Sequence, residues 1–179
     1  MRRFQRQLNR VSRRQFIAAT SAVAGGLIIG FRPRTESAQA SAAGAPLSSP
    51  FEGYIRIGAD NRVTVLCAHM EGGQGIHTGI ATLVAEELGA DWSQIFMEAA
   101  SGSPALYGNL VFGGTYQLTA GSTGLSSSWQ RYRQAGAVAR TLLTEAAADV
   151  WGVPAGEIQV AAGELSHPSG VHGKFADFI

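Results

Sequence analysis

Two glycine-bearing turns hold the residues of this chain best suited to grip an anion. The first is Gly73-Gln74-Gly75, inside Ala68-His69-Met70-Glu71-Gly72-Gly73-Gln74-Gly75-Ile76-His77-Thr78-Gly79. It lies between a strand-like and a helix-like run. The second is Gly121-Ser122-Thr123, ahead of a longer helix-like run. A helix start exposes unpaired N–H groups and the positive end of its dipole, which suits a phosphate. Gln74 adds a side-chain amide donor, and Ser122 and Thr123 add hydroxyls. The first turn is not the dinucleotide fingerprint, whose third glycine falls one position earlier, and no lysine follows it as in a Walker A loop. Alone, such a turn is equally a plain tight turn, and Ser122 or Thr123 can equally be ordinary N-caps. Two helix starts in one small domain predict a shared ligand carrying two phosphates or a pyrophosphate.

The remaining candidates carry less chemistry. His69 and His77 do not have a standard metal-ligand spacing, so no metal site is expected. Glu71 is a possible general base, but no nucleophile, second acid or metal accompanies it, so no catalytic residue is assigned. His167 and His172 sit among turn residues and are expected to face solvent. Cys67 alternates with Val63 and Val65 and reads as a small buried hydrophobe. As the one cysteine it excludes an internal disulfide and a multi-cysteine metal site within this chain. Trp92, Trp129 and Trp151 read as core or interface anchors, and Glu86-Glu87 as a solvated helix face.

The elements that must position these turns follow from periodicity. Phe51–Gly58 and Arg62–Ala68 alternate and flank the turn residues Ala59-Asp60-Asn61, predicting a β-hairpin. Ile76, Ile80, Leu83, Val84 and Leu88 fall at helical spacing, with Gly89 as the stop. Ile95–Ala99 reads as a short strand and residues 101–114 as a loop. A second helix of about 25–30 residues opens in Gln117–Gly124. Its expected buried stripe is Leu125, Trp129, Tyr132, Gly136, Ala139, Leu143, Ala146 and Val150. Gly136 on that stripe predicts another backbone close by. Trp151-Gly152-Val153-Pro154 stops the helix. A terminal hairpin follows, from Ile158–Val160 to Glu164–Ser166. The expected fold is α+β: two layers, a small mixed or antiparallel sheet with two helices packed on one face. Phe175–Ile179 looks like the first turn of a continuing element, so a truncated domain is expected.

Charge divides the chain. Eight of its 14 basic residues precede the first acid, Glu36, while from Ser41 onward six basic residues face 12 acids. A folded part of that sign argues against nucleic-acid binding. Residues 1–40 read as a signal peptide: a basic start, a weakly apolar Phe16–Gly30 and a small-residue site, Ala38-Gln39-Ala40. Phe16–Gly30 falls short of the roughly 20 residues a membrane span needs. Ser12-Arg13-Arg14-Gln15-Phe16-Ile17 resembles the twin-arginine motif, so export to the periplasm by the twin-arginine translocase is expected. Residues 41–50 form a linker, and residues 51–179 the domain.

Taken in order, several motifs resemble one family. They are Val63-Thr64-Val65, Glu71-Gly72-Gly73-Gln74-Gly75, Val84-Ala85-Glu86-Glu87-Leu88, Asp91-Trp92-Ser93, Thr119-Ala120-Gly121-Ser122-Thr123, Trp151-Gly152-Val153-Pro154 and His167-Pro168-Ser169-Gly170. Together with Trp129 and Arg133-Gln134-Ala135-Gly136-Ala137, they resemble the molybdopterin-binding large subunit of the xanthine dehydrogenase/aldehyde oxidase family, of the isoquinoline 1-oxidoreductase beta subunit type. The resemblance implies that Gly73, Gln74, Gly75, Gly121, Ser122 and Thr123 contact molybdopterin cytosine dinucleotide. It also implies hydroxylation of an N-heterocycle or aldehyde with oxygen from water, and a small [2Fe-2S] partner subunit. Gly72 departs from the family's usual methionine. The family's large subunit is several times longer, and its catalytic glutamate has no counterpart here. The chain is therefore expected to be the N-terminal segment of such a subunit, completed by the remainder of that subunit. The alternative is a non-catalytic exported remnant that binds at most an anion.

Overall fold

A computed structural model describes the backbone of Gly26–Ile29 and all of residues 53–179; the twin-arginine motif, the Ala38-Gln39-Ala40 site and the 41–50 linker lie outside the described residues. Four strands, β1 (Gly26–Ile29), β2 (Ile55–Gly58), β3 (Val63–Cys67) and β4 (Ile95–Ala99), form one sheet in that order. β1 lies inside the apolar stretch expected of a leader. β2 pairs antiparallel with β1 and β3. β4 pairs parallel to β3, with Val63 opposite Ile95 and Cys67 opposite Ala99. A parallel pair needs a crossover, and α1 (Ile76–Leu88) supplies it.

Residues 101–114, expected as loop, contain one helical turn, α2 (Pro104–Tyr107), and a 3-10 turn, Leu110–Phe112. The long helix α3 (Gly124–Trp151) runs 28 residues. Beyond it lie β5 (Gln159–Ala161), β6 (Glu164–Ser166) and β7 (His172–Lys174), a small antiparallel sheet. The last residues turn into a 3-10 helix, Phe175–Phe178. Phe175 is fully buried and the Phe178 ring meets Trp151 edge-on at 5.2 Å. The fold is α+β, as expected, with a mixed sheet.

One core joins the layers. Ile55, Ile57, Val63, Val65 and Cys67 of the sheet pack with Ile80, Val84 and Leu88 of α1 and with Tyr132, Ala139 and Leu143 of α3. Gly136 allows α1 and α3 to touch: a Cβ there would sit 2.9 Å from Glu87 Cβ and 3.1 Å from the Val84 carbonyl. The buried stripe of α3 meets the expectation at Tyr132, Gly136, Ala139 and Leu143 and departs from it elsewhere: Ser128, Ala135 and Ala147 are buried, whereas Leu125, Trp129 and Val150 are exposed. Close helix contact selects small residues at those positions. Trp92 is likewise exposed, and only Trp151 joins the core edge.

Candidate functional site

β3 delivers the first glycine turn, and α3 fixes where β3 ends. The Tyr132 hydroxyl donates to the Leu66 carbonyl at 2.7 Å and accepts from the Ala68 N–H at 2.8 Å. Burial pushes its pKa well up, so it stays protonated. Tyr54 meets the Tyr132 ring edge-on at 5.1 Å and the Tyr107 ring edge-on at 5.5 Å. Cys67 is buried, its thiol raised by that burial, as expected of a packing residue rather than a nucleophile.

Three hydrogen bonds then tie the first turn to the second. Gln117 Nε2 donates to the Ala68 carbonyl (3.2 Å), the Met70 N–H donates to Thr119 Oγ1 (2.8 Å), and His69 Nδ1 meets the Leu118 carbonyl (3.2 Å). A carbonyl only accepts, so Nδ1 carries the proton and Nε2 is free to accept from the Ser128 hydroxyl at 2.9 Å. Burial, against the opposing pull of the Leu118 contact, lowers the His69 pKa and favours this neutral form. From the other side, fully buried Asn109 donates to Thr123 Oγ1 at 2.8 Å and to the Leu118 carbonyl at 3.3 Å.

Held in this way, the two turns line one open cleft of about 550 Å³. Gln74, Gly75, Gly121, Ser122 and Thr123 all face it, together with Met70, Thr119 and Leu125. Gly73 does not line it; its φ of 94° shapes the loop instead. Gly121 (φ 60°) and Ser122 (φ 55°) form a left-handed turn closed by the Thr123 N–H on the Ala120 carbonyl. Among the described residues no charged side chain lines the cleft.

The two helix starts differ. At α1, Glu71 Oε1 accepts from the N–H groups of Gly73 (2.8 Å) and Gly75 (3.0 Å), and Oε2 from that of His77 (2.9 Å). These bonds, that from His77 foremost, hold the Glu71 pKa below the usual range. The expectation of two phosphate-ready starts is thus corrected, because an internal carboxylate fills the first. Gln74 is also engaged: Nε2 donates to the Met70 carbonyl (2.7 Å) and Oε1 accepts from the Gly72 N–H (2.6 Å), which leaves one amide hydrogen for a ligand. At α3 no side chain caps the helix. The Thr123 hydroxyl turns back to the Ala120 carbonyl, and the first intrahelical bond is from the Ser127 N–H. The N–H groups before it have no acceptor within the helix.

Elsewhere, His167 is not solvent-facing. Its Nε2 meets Glu157 at 3.0 Å and its Nδ1 meets Ser169 at 2.9 Å, with the side chain 9% exposed. His172 is exposed, as expected. Among the described residues no group of three or more His, Cys, Asp or Glu is placed to hold a metal ion.

The sequence matches the model of the molybdopterin cofactor-binding domain over residues 8–179. The chain belongs to this family. As a molybdopterin cofactor-binding domain, it is 34% identical over 158 residues to isoquinoline 1-oxidoreductase subunit beta of Brevundimonas diminuta, covering 88% of this chain and 20% of that one. It is 28% identical over 179 residues to the membrane-bound aldehyde dehydrogenase (pyrroloquinoline-quinone) of Gluconacetobacter polyoxogenes, covering 98% of this chain and 22% of that protein. The chain thus spans about a fifth of the length of these relatives. The fold is similar to those of quinoline 2-oxidoreductase from Pseudomonas putida 86 (TM-score 0.50, 22% identity) and Cu,Mo-CO dehydrogenase (TM-score 0.54, 21% identity), each over 69% of this chain and 15% of the other.

Sequence reasoning gave no supporting role to His69, weighed as a metal ligand, to Glu71, weighed as a general base, or to Asn109 and Gln117. Asn109 carried a signal in its neighbours. Gly108 precedes it, and a Cβ there would stand 1.8 Å from the Gly114 carbonyl. So tight a fold-back marks a loop built to hold one side chain in place.

Proposed function

We propose that this domain supplies part of the cofactor site in the large subunit of an exported molybdenum hydroxylase. The cofactor would be molybdopterin cytosine dinucleotide. One observation carries the reading: in a member of the molybdopterin cofactor-binding family, two sequence-distant turns are cross-tied around one cleft. The fit is to the phosphorylated, organic part of the cofactor. The uncapped start of α3 and the Gly121–Ser122 turn offer backbone N–H groups to a phosphate. Gln74 offers an amide hydrogen to the heterocycle, and Ile76 and Leu125 supply apolar walls.

When bound, the cofactor supplies the redox chemistry by which an N-heterocycle or aldehyde carbon is hydroxylated with oxygen from water. The residues of this chain bind and orient it and assign themselves no proton transfer. The remainder of the large subunit, a small [2Fe-2S] subunit taking the electrons, and the twin-arginine translocase complete the proposed partners. The location is the periplasm. The twin arginines Arg13-Arg14 support the export route, and the relative named as a subunit beta supports assembly with other subunits.

The test is made in the complete large subunit. Gln74→Ala and Gly121→Val should each lower bound molybdenum and the cytidine nucleotide released on denaturation, the valine because a β-branched residue resists a φ of 60°. Wild-type molybdenum content in both variants would sink the assignment. So would a purified protein carrying a quinone cofactor instead.

A further inference from the structure

Glu71 lies beside the cleft and the proposed function leaves it without a task. Its half-buried carboxylate accepts three backbone N–H bonds, at 2.8, 3.0 and 2.9 Å, from Gly73, Gly75 and His77. Those donors are the groups a helix start would otherwise turn toward a phosphate oxygen. The carboxylate also closes the loop on itself: Glu71 precedes the turn, and His77 lies in the first turn of α1. Gly73 and Gly75, at φ 94° and 81°, bend the chain so that both N–H groups converge on one oxygen. Gln74 sits between them and faces the cleft.

We propose that Glu71 is a specificity-determining and positioning residue, an internal oxyanion that fills the start of α1. It bars a ligand phosphate from that place and holds Gln74 toward the cleft. The cleft is therefore polarised. Its anion place is the Gly121–Leu125 turn, and its Gln74 side takes an uncharged hydrogen-bonding group. This rests on the reading that a phosphorylated ligand binds the cleft, and it fixes which way round that ligand lies. Among the described residues no lysine or arginine lines the cleft, and the Glu71 carboxylate beside it repels an anion that approaches α1.

The probe is inorganic pyrophosphate, titrated into the full chain while backbone amide shifts are followed by NMR. In the wild type, the amides of residues 121–126 should shift and those of Gly73, Gly75 and His77 should not. In Glu71→Ala, the 73–77 amides should gain a saturable response, which added formate, a small carboxylate, should compete away. A wild-type response at 73–77, or no gain in Glu71→Ala, overturns the inference. Silence at 121–126 in the wild type instead overturns the phosphate reading, while the Glu71→Ala comparison still decides the role of Glu71. Should Glu71→Ala not fold, Glu71→Gln carries the same comparison. It keeps one acceptor oxygen but no charge, so its 73–77 amides should gain a pyrophosphate response that the wild type lacks; no gain would overturn the proposal.

Discussion

His69 shows how one side chain can set a site without touching a ligand. It is buried, neutral and hydrogen-bonded at both ring nitrogens, to the Leu118 carbonyl and the Ser128 hydroxyl. Its ring also lies beneath the start of α3, where a Cβ on Gly124 would be 3.5 Å from it. Removing it in His69→Ala deletes two hydrogen bonds and opens a void, at a cost of about 1–3 kcal/mol. A pH dependence separates this residue from others. Burial lowers its folded-state pKa below the unfolded value of roughly 6.5. Above that value the imidazole is neutral in both states and contributes no slope. As the pH falls below it, the unfolded chain takes up the proton first, so stability drops until the folded value is passed. Urea midpoints measured between pH 7.5 and 5 should fall in the wild type and fall less in His69→Ala. Equal slopes would show that the proton goes elsewhere.

At the scale of elements, the contact between α1 and α3 decides how far apart the two turns stand. Gly136→Ala tests it. Alanine gains about 1 kcal/mol of helix propensity. Its methyl, however, would press on Glu87 Cβ at 2.9 Å and the Val84 carbonyl at 3.1 Å, and overpacking of this kind costs about 1–3 kcal/mol. Net destabilisation of up to about 2 kcal/mol in urea is expected; a variant more stable than wild type would mean the helices part freely. This contact was legible from the sequence, because a glycine amid helix formers needs a packing reason. So were α1, with its regular apolar spacing and Gly89 stop, and β4. The buried face of α3 was legible only in part: Tyr132, Gly136, Ala139 and Leu143 are buried as expected, but alanines and serines complete that face while Leu125 and Trp129 stay outside. Hydrophobicity ranks those residues in the wrong order when closeness of approach is what is selected. The glycine turns were legible as turns. Their cross-ties were not, because bonds such as Met70 to Thr119 join residues 49 apart and leave no periodic trace.

For the whole molecule, the cleft is too bare to hold a large charged cofactor unaided. It is open, lined by no cation among the described residues, and set in a domain whose residues from Ser41 onward carry twice as many acids as bases. Backbone N–H groups and a dipole contribute modestly while solvent can reach them. The surface around the cleft is, by contrast, unusually apolar. Leu110, Val111, Phe112, Tyr116, Leu125 and Trp129 are all exposed. Phe112 approaches Gly121 closely, and Leu125 and Trp129 line a second groove of about 650 Å³ that shares Gly79 and Leu125 with the first. Exposed apolar surface of this kind marks an interface. On the proposed function, the occupant would be the rest of the large subunit; the chain spans about a fifth of the length of the relatives it matches. That covering would close the cleft, exclude water and bring the missing positive charge. The 179-residue chain alone should therefore bind a hydrophobic dye such as ANS and retain no molybdenum cofactor. Phe112→Ser and Trp129→Ser should reduce the dye signal in the chain alone and lower molybdenum retention in the complete subunit. Both arms are needed, because loss of dye binding alone would show only that a patch was removed. A complete subunit that keeps its molybdenum despite both substitutions would mean the rim faces solvent and the cleft is closed from another side.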